Sequence, residues 1–209
     1  MDRTELCCIG HITHDKVVTP RSVVHMAGGT AFYFSNALSR MDVAFRLITA
    51  LAPADMKLTE SPSFRGFPHY DADLQASTGF PADVKALADA IRAADGVIII
   101  SPEYNWTIPG ALKNALDWVS RLPDQPFREK PVAIQSATGG PLGGARMQYH
   151  VRQAMTFLSA FIFGTPEVFV GNAATKFDEK TLELKDEPTR KIIGQQLAAF
   201  AKFIERVKA

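Results

Sequence analysis

Cysteine is scarce in this chain: two are present among 209 residues, and they are neighbours, Cys7 and Cys8. Adjacent side chains on a strand point to opposite faces, so a disulfide framework is not expected. Two structural thiols in a protein of the reducing cytoplasm are the interpretation we adopt. The five histidines and the cysteines also lack the spacing of a zinc site, and we predict no bound metal.

An excess of charge of either sign is also missing. The chain has 23 basic and 22 acidic residues, and no basic cluster is dense enough to predict a nucleic-acid partner. No apolar run approaches the ~20 residues of a membrane span. The first residues, with Asp2, Arg3 and Glu5, lack the layout of a signal peptide. We therefore expect a cytoplasmic protein that does not bind membranes.

Strand and helix patterns alternate along the sequence. The predicted strands are Leu6–Gly10, either Val43–Leu51 or Met56–Glu60, Gly96–Ser101, Val132–Ser136 and Val168–Val170; the predicted helices are Ala31–Arg40, Pro81–Asp95, one that opens at Pro109, one from Ala145 to about Phe161, and Pro188–Lys208. Five strands that alternate with helices favour a parallel sheet covered on both sides. We predict an α/β, flavodoxin-like, three-layer α/β/α domain over residues 1–209, with strand order 2-1-3-4-5.

A polar loop follows the most apolar predicted strand. Gly96–Ser101 ends at Pro102-Glu103-Tyr104-Asn105, a turn that cannot continue it. Open parallel sheets bind ligands at the carboxyl ends of their strands, where the strand order reverses. A flat heteroaromatic ring needs a wall of backbone polar groups and an aromatic side chain, and this loop supplies both. An ordinary turn is the alternative, since proline and asparagine are common in turns.

A glycine-rich loop follows the next predicted strand and leads into a helix. Ser136 to Gly144 contains four glycines, which allow a ligand close to the backbone, and the helix start favours anionic or electron-rich groups. A plain surface loop is the alternative. Gly28-Gly29-Thr30, before the predicted first helix, is a weaker candidate for a phosphate cradle, because turns and helix caps use the same residues.

Several polar and aromatic side chains leave their role open. The start of the helix after the glycine-rich loop, with Arg146, Gln148, Tyr149 and Arg152, fits either a solvated face or a subunit contact. Trp106 fits either the core or an interface, and His150 is predicted to be a partly buried helix residue rather than an acid–base group. Asp71 and Asp73 have no third ligand nearby and are predicted to lie in a polar loop.

Four segments together resemble a known family. They are Phe67–Leu74, Ser101–Gly110, Leu112–Trp118, and Gly143–Arg146 with Gln148–His150. Residues from about Leu51 to Ala209 thereby resemble the NADPH-dependent FMN reductases, in the branch called chromate or quinone reductases. The resemblance implies a flavodoxin-like enzyme that transfers hydride from NADPH or NADH, through bound FMN, to quinones, chromate or similar acceptors.

The same resemblance implies roles for particular residues. The FMN-binding residues would be Pro102, Glu103, Tyr104 and Asn105, with Ser136, Thr138, Gly139 and Gly140 completing the wall. A homodimer or homotetramer would form through Arg146, Tyr149 and Glu167. Trp106 replaces the tyrosine usual in the family, so a hydroxyl hydrogen bond is lost there. The resemblance implies no catalytic side chain, since the flavin carries the chemistry.

The first fifty residues depart from that family. Its Gly-Ser-Leu-Arg-x-x-Ser-x-Asn loop, which holds the FMN phosphate after strand one, is missing. Cys7–Asp15 and Met26–Phe32 instead resemble the start of ribokinase-type sugar kinases, which predicts a chimera joined between about Ile48 and Lys57. Thr30, Ser35 or Asn36 would then have to receive the phosphate.

Three alternatives to the reductase follow from this departure. They are a domain that has lost FMN binding, a plain electron carrier, and a sugar-kinase fragment. The last is disfavoured because a kinase Gly-x-Gly-Asp segment is missing.

Overall fold

The computed structural model describes residues 4–10, 15–19, 22–26, 48–178, 181 and 183–208. The strands are β1 (Thr4–Gly10), β2 (Asp15–Thr19), β3 (Ser22–Met26), β4 (Met56–Glu60), β5 (Gly96–Ser101), β6 (Pro131–Ala137), β7 (Phe161–Ile162) and β8 (Val168–Val170). The α-helices with defined bounds are α1 (Ala72–Thr78), α2 (Ala82–Ala93), α3 (Gly110–Val119), α4 (Ala145–Phe157) and α5 (Glu187–Lys208). The prediction of a first helix over Ala31–Arg40 lies outside the described residues.

The central sheet has the predicted strand order. Within the described residues it runs β4-β1-β5-β6, and both β7 and β8 pair with β6. All of these pairings are parallel. Two short strands therefore share the last position of the sheet: β7 pairs with Pro131 and Val132, and β8 pairs with Gln135–Ala137. The flavodoxin-like order 2-1-3-4-5 is confirmed, with β4 as the second strand and β8 as the fifth.

The choice between two candidate second strands is settled by pairing with β1. Thr4 lies opposite Met56, and Cys8 lies opposite Glu60. The alternative, an extended Val43–Leu51, is wrong for its described part, since residues 48–51 are helical. Ile48 is buried against the apolar layer that α5 forms, so this short turn packs onto the sheet rather than joining it.

Helices cover the described sheet on both faces, and β1 shows this directly. Cys8 belongs to the apolar cluster beneath α5, with Phe200, while Cys7 belongs to the cluster beneath α2, α3 and α4, with Trp118. The opposite orientation predicted for the two cysteines is confirmed, and both are buried and unpaired. β5 and β6 are buried along their whole length, as expected for central parallel strands.

The described helices α2 to α5 lie in their predicted ranges, with one boundary corrected. Val84, Leu87, Ala88 and Ile91 are the buried residues of α2, as their spacing predicts. α4 was predicted to reach about Phe161 but ends at Phe157. The chain reverses at Ser159, whose φ is +59°, and the N–H of Phe161 then donates to the carbonyl of Lys130, which starts β7.

Three further elements, β2, β3 and α1, were not predicted. β2 and β3 form an antiparallel hairpin that belongs to a separate two-stranded sheet. The predicted polar loop at Asp71 and Asp73 is wrong: Asp71 is the N-cap of α1, and its carboxylate accepts from the N–H groups of Asp73 and Leu74. The capping explains both carboxylates, because acidic residues stabilise a helix start.

None of the described helices is long and apolar enough to cross a bilayer.

Candidate cofactor site

Three neighbouring strands end together at one edge of the sheet. Gly10 of β1 lies opposite Ile100 of β5, and Ser101 of β5 lies opposite Ser136 of β6. β1 and β5 are the strands between which the chain order reverses, the usual ligand position in such sheets. The loops that follow β5 and β6 therefore begin side by side. The two predicted site segments, which are more than thirty positions apart in the chain, are brought together by this register.

The loop after β5 closes in a tight two-residue turn. The N–H of Tyr104 donates to the carbonyl of Thr107 at 3.1 Å, and the N–H of Thr107 donates back to Tyr104 at 2.9 Å. Asn105 and Trp106 between them have φ values of +47° and +68°. Both are exposed, and a left-handed tryptophan is unusual enough to indicate a constrained loop.

Glu103 is held by the helix that follows the other loop. Its side chain is only 7% exposed. Its Oε1 accepts from Nε of Arg146 at 2.7 Å, and its Oε2 accepts from the N–H of Met147 at 3.2 Å. α4 has no side-chain N-cap of its own, so this carboxylate satisfies its N-terminus. What Glu103 can offer a ligand is consequently its peptide group, since its carboxylate is occupied.

The side chains of the loop after β6 are likewise turned inward. The Ser136 hydroxyl donates to the carbonyl of Gly143 at 2.6 Å and accepts from Nε2 of Gln148 at 2.7 Å. The Thr138 hydroxyl donates to the carbonyl of Gly140 at 3.2 Å. These contacts shape the loop and leave neither hydroxyl unengaged, so the polar groups offered outward belong to the backbone.

The backbone of the glycine pair after Thr138 is available to a ligand. Within the described part of the chain, the N–H groups of Gly139 and Gly140 donate no hydrogen bond, and neither does that of Asn105. A Cβ placed on Gly140 would meet nothing within 4 Å. Unpaired N–H donors beside open space match the edge of a flat ring that has carbonyl oxygens and ring nitrogens, such as isoalloxazine. The donor set therefore fits a flavin.

The second glycine pair has a different role. Gly143 and Gly144 have φ values of +60° and +88°. A Cβ on Gly143 would lie 2.7 Å from the carbonyl carbon of Phe169, and one on Gly144 would lie 2.8 Å from the Ser136 hydroxyl oxygen. These two glycines let the loop pack closely against β8 and Ser136. From the sequence alone, all four glycines were predicted to allow a ligand close to the backbone.

The predicted subunit-contact residues are engaged within the chain. Arg146 pairs with Glu103. Neither of the two predictions for Arg146, a solvated face or a subunit contact, included this ion pair. Arg152, rather than Arg146, pairs with Glu167 at 3.2 Å, and the Tyr149 hydroxyl lies 3.4 Å from the same carboxylate. Trp106, predicted in the core or at an interface, is 69% exposed.

Sequence reasoning missed one contact of the site. His150 is exposed rather than partly buried, and its Nδ1 lies 2.8 Å from the Thr107 hydroxyl. This bond ties the loop after β5 to α4. No signal in the sequence indicates it, because the two residues are 43 positions apart.

The thiols take no part in chemistry at this edge. Burial raises the pKa of the Cys7 thiol to about 11, and burial also raises the pKa of the Cys8 thiol. Both therefore stay protonated near neutral pH, when a thiolate would be needed for nucleophilic attack.

A parallel sheet of this order, with peptide donors at its switch point, defines the chain as a flavodoxin-like protein. Solved structures agree at the level of the fold. The flavoenzyme FerB, an NAD(P)H:(acceptor) oxidoreductase from Paracoccus denitrificans, has a TM-score of 0.73, with 97% of this chain and 98% of that chain covered. Its sequence identity is 24%, so the likeness concerns the architecture.

The family is shown by sequence. The model of the NADPH-dependent FMN reductase family matches residues 30–175, and the chain belongs to that family. It is 51% identical to the quinone reductase of Escherichia coli (strain K12) over 163 residues, which cover 78% of this chain and 87% of that protein. It is 42% identical to an NAD(P)H-dependent FMN reductase of Pseudomonas aeruginosa over 158 residues, 76% of this chain and 84% of the relative.

The resemblance of the first fifty residues to sugar kinases finds no support in these matches and stays a prediction. The family match begins at residue 30, inside the range given to that resemblance. The hypothetical phosphate ligands Thr30, Ser35 and Asn36 lie outside the described residues, as does Gly28-Gly29.

Proposed function

We propose that this protein is an FMN-dependent NAD(P)H oxidoreductase that reduces quinones. The observation that carries the proposal is the pair of loops after β5 and β6, which begin side by side and have unpaired N–H groups. Membership of the FMN reductase family and the 51% identity to a protein named quinone reductase support the same activity. Chromate and similar acceptors are proposed as further substrates, and NADPH or NADH as the donor.

The chain's own residues would bind and orient the ring. We assign the peptide groups of Pro102, Glu103, Tyr104 and Asn105 to one side of the flavin. We assign the backbone of Gly139 and Gly140 to the other side, with Ser136 and Thr138 supporting them through the hydroxyl contacts described above. Bound FMN would supply the redox chemistry, by accepting hydride from the nicotinamide and delivering electrons to the acceptor. Backbone N–H donors suit an electron-rich ring edge, because they need no reorientation.

The assembly and the compartment are proposed separately. We infer a homodimer or homotetramer whose contact includes Arg146, Tyr149 and Glu167, supported by the exposed aromatic rings of Tyr149 and Trp106 nearby. We also infer a reducing, cytoplasmic setting, supported by two buried, unpaired cysteines.

Equilibrium dialysis of the purified chain with FMN tests the cofactor assignment. We expect saturable binding of one FMN per chain, a flavin absorption spectrum, and NADPH oxidation that depends on an added quinone. The missing phosphate loop favours the second candidate, a domain without FMN, and a chain that stays colourless in excess FMN would establish it. Bound FMN without quinone-dependent NADPH oxidation would instead identify an electron carrier.

A further inference from the structure

One arginine contacts the loop after β5 at two points, one just before its turn and one within it. Arg146 donates from Nε to Oε1 of Glu103 at 2.7 Å, and its Nη2 lies 2.6 Å from the same oxygen. The carbon at the centre of its guanidinium also lies 4.2 Å from the centre of the Trp106 ring. A planar guanidinium can form a forked ion pair and cover an aromatic face at once, which an ammonium cannot do equally well.

The ion pair is more than a surface contact. The Glu103 side chain is 7% exposed, and a carboxylate so buried needs its partner. The same carboxylate accepts from the N–H of Met147, which fixes the loop relative to the first turn of α4. Glu103 and Trp106 flank the Tyr104–Asn105 peptide unit, so holding both residues determines where that unit lies.

We propose that Arg146 is a positioning residue for the flavin wall. By holding the Glu103 carboxylate and the Trp106 ring together, it fixes residues 102–107 in the shape that receives the ring. The part of this inference that concerns flavin rests on the proposed function. The part that concerns the loop does not, because the contacts exist within the chain.

The loop can be observed without any cofactor. The chain has two tryptophans, and Trp118 is fully buried while Trp106 is 69% exposed. At dilutions where the chain sediments as a monomer, quenching of tryptophan fluorescence by acrylamide therefore reports mainly on Trp106. We expect Arg146→Met to increase quenching and shift the emission to longer wavelength in the cofactor-free protein.

Flavin binding supplies the second readout. We expect Arg146→Met to bind FMN about tenfold more weakly than the unaltered chain, a change of ~1.4 kcal/mol. The visible circular dichroism of bound flavin should change as well, because it depends on the placement of groups around the ring. Arg146→Lys keeps the charge and should recover part of the affinity, and it also serves if the methionine variant does not fold.

Arg92 offers a matched control. Its side chain is as exposed as that of Arg146, at 36%, and it pairs with Asp124 at 2.6 Å, away from the two loops. Arg92→Met should leave quenching, FMN affinity and dichroism unchanged. Equal losses in both variants, or unchanged quenching and affinity in Arg146→Met, would overturn the proposal. Altered quenching in a chain that never binds FMN would support the positioning of the loop and refute the proposed function.

Discussion

At the scale of single residues, the four glycines of the β6–α4 loop divide into two pairs. Gly143 and Gly144 adopt left-handed backbone angles, and an added Cβ would collide with β8 or Ser136. Gly139 and Gly140 have unpaired N–H groups, and a Cβ on Gly140 would meet nothing within 4 Å. One pair therefore secures the shape of the loop, and the other is the pair that we propose binds the ring.

Substitution of these glycines by alanine should separate stability from binding. Gly143→Ala combines a backbone clash with a left-handed φ and should destabilise the protein by about 2 kcal/mol or more. Gly140→Ala should unfold at the temperature of the unaltered chain but bind FMN more weakly, because its methyl group occupies the space beside the N–H donors. Thermal unfolding monitored by circular dichroism checks the first effect, and FMN titration checks the second. Equal unfolding temperatures for both variants would contradict the division.

The roles of Glu103 and His150 mark the limit of residue-level prediction. The run of β-branched residues before Pro102 places Glu103 at the carboxyl edge of the sheet. The direction of its carboxylate depends on Arg146, which is 43 positions further along the chain. A contact at such separation follows from how α4 packs, and no local pattern encodes it.

At the scale of elements, the spacing of apolar residues predicted the helices and strands that pack against the core. The buried face of α2 and the strands β5 and β6 were predicted because burial itself produces those patterns. Residues 48–51 and Leu158–Phe161 were mispredicted, because short apolar stretches suit either a strand or a helix turn until their neighbours are known. The hairpin of β2 and β3 was missed, although the sequence has Val17-Val18 and Val23-Val24, which lie opposite each other in the pairing.

Asp95, immediately before β5, holds the end of α5 through an interaction that depends on pH. Asp95 accepts from the N–H of Glu5 at 2.8 Å and from the ammonium of Lys208. Burial acts to raise the pKa of Asp95, but these hydrogen bonds and the positive charge outweigh it and hold the pKa below its usual value. A carboxyl whose folded pKa is depressed stabilises the protein above its unfolded pKa, and the benefit is lost as pH falls through the folded value.

We therefore expect Asp95→Asn to flatten the acid limb of the stability profile. At pH 7 the variant should lose up to about 1 kcal/mol, because the pair is partly exposed and screened. Below pH 4 the difference from the unaltered chain should shrink towards zero. Urea unfolding at a series of pH values measures this, and Glu205→Gln, at an exposed carboxylate on α5, is the control. A difference that stays constant down to the lowest pH would refute the linkage.

At the scale of the whole molecule, the three most exposed aromatic rings among the described residues gather around α4. Trp106, Tyr149 and Phe157 are 69%, 52% and 77% exposed. Tyr149 and Phe157 are two helical turns apart and share a face of α4, and Arg146 links Trp106 to the same helix. Aromatic residues are enriched in subunit interfaces, and exposed apolar patches of this kind mark contact surfaces.

This surface predicts the behaviour of the chain in solution. Sedimentation velocity should show a dimer or tetramer at micromolar concentrations, and Phe157→Glu should weaken association at least about tenfold, or ~1.4 kcal/mol, since it places a charge where association would bury an apolar ring. Lys85→Glu, an exposed charge reversal on α2, should leave the assembly unchanged. The unfolding temperature of diluted Phe157→Glu should match that of diluted unaltered protein, because an exposed ring contributes little to the monomer. A monomeric unaltered chain, or an association constant insensitive to Phe157→Glu, would show that α4 faces solvent.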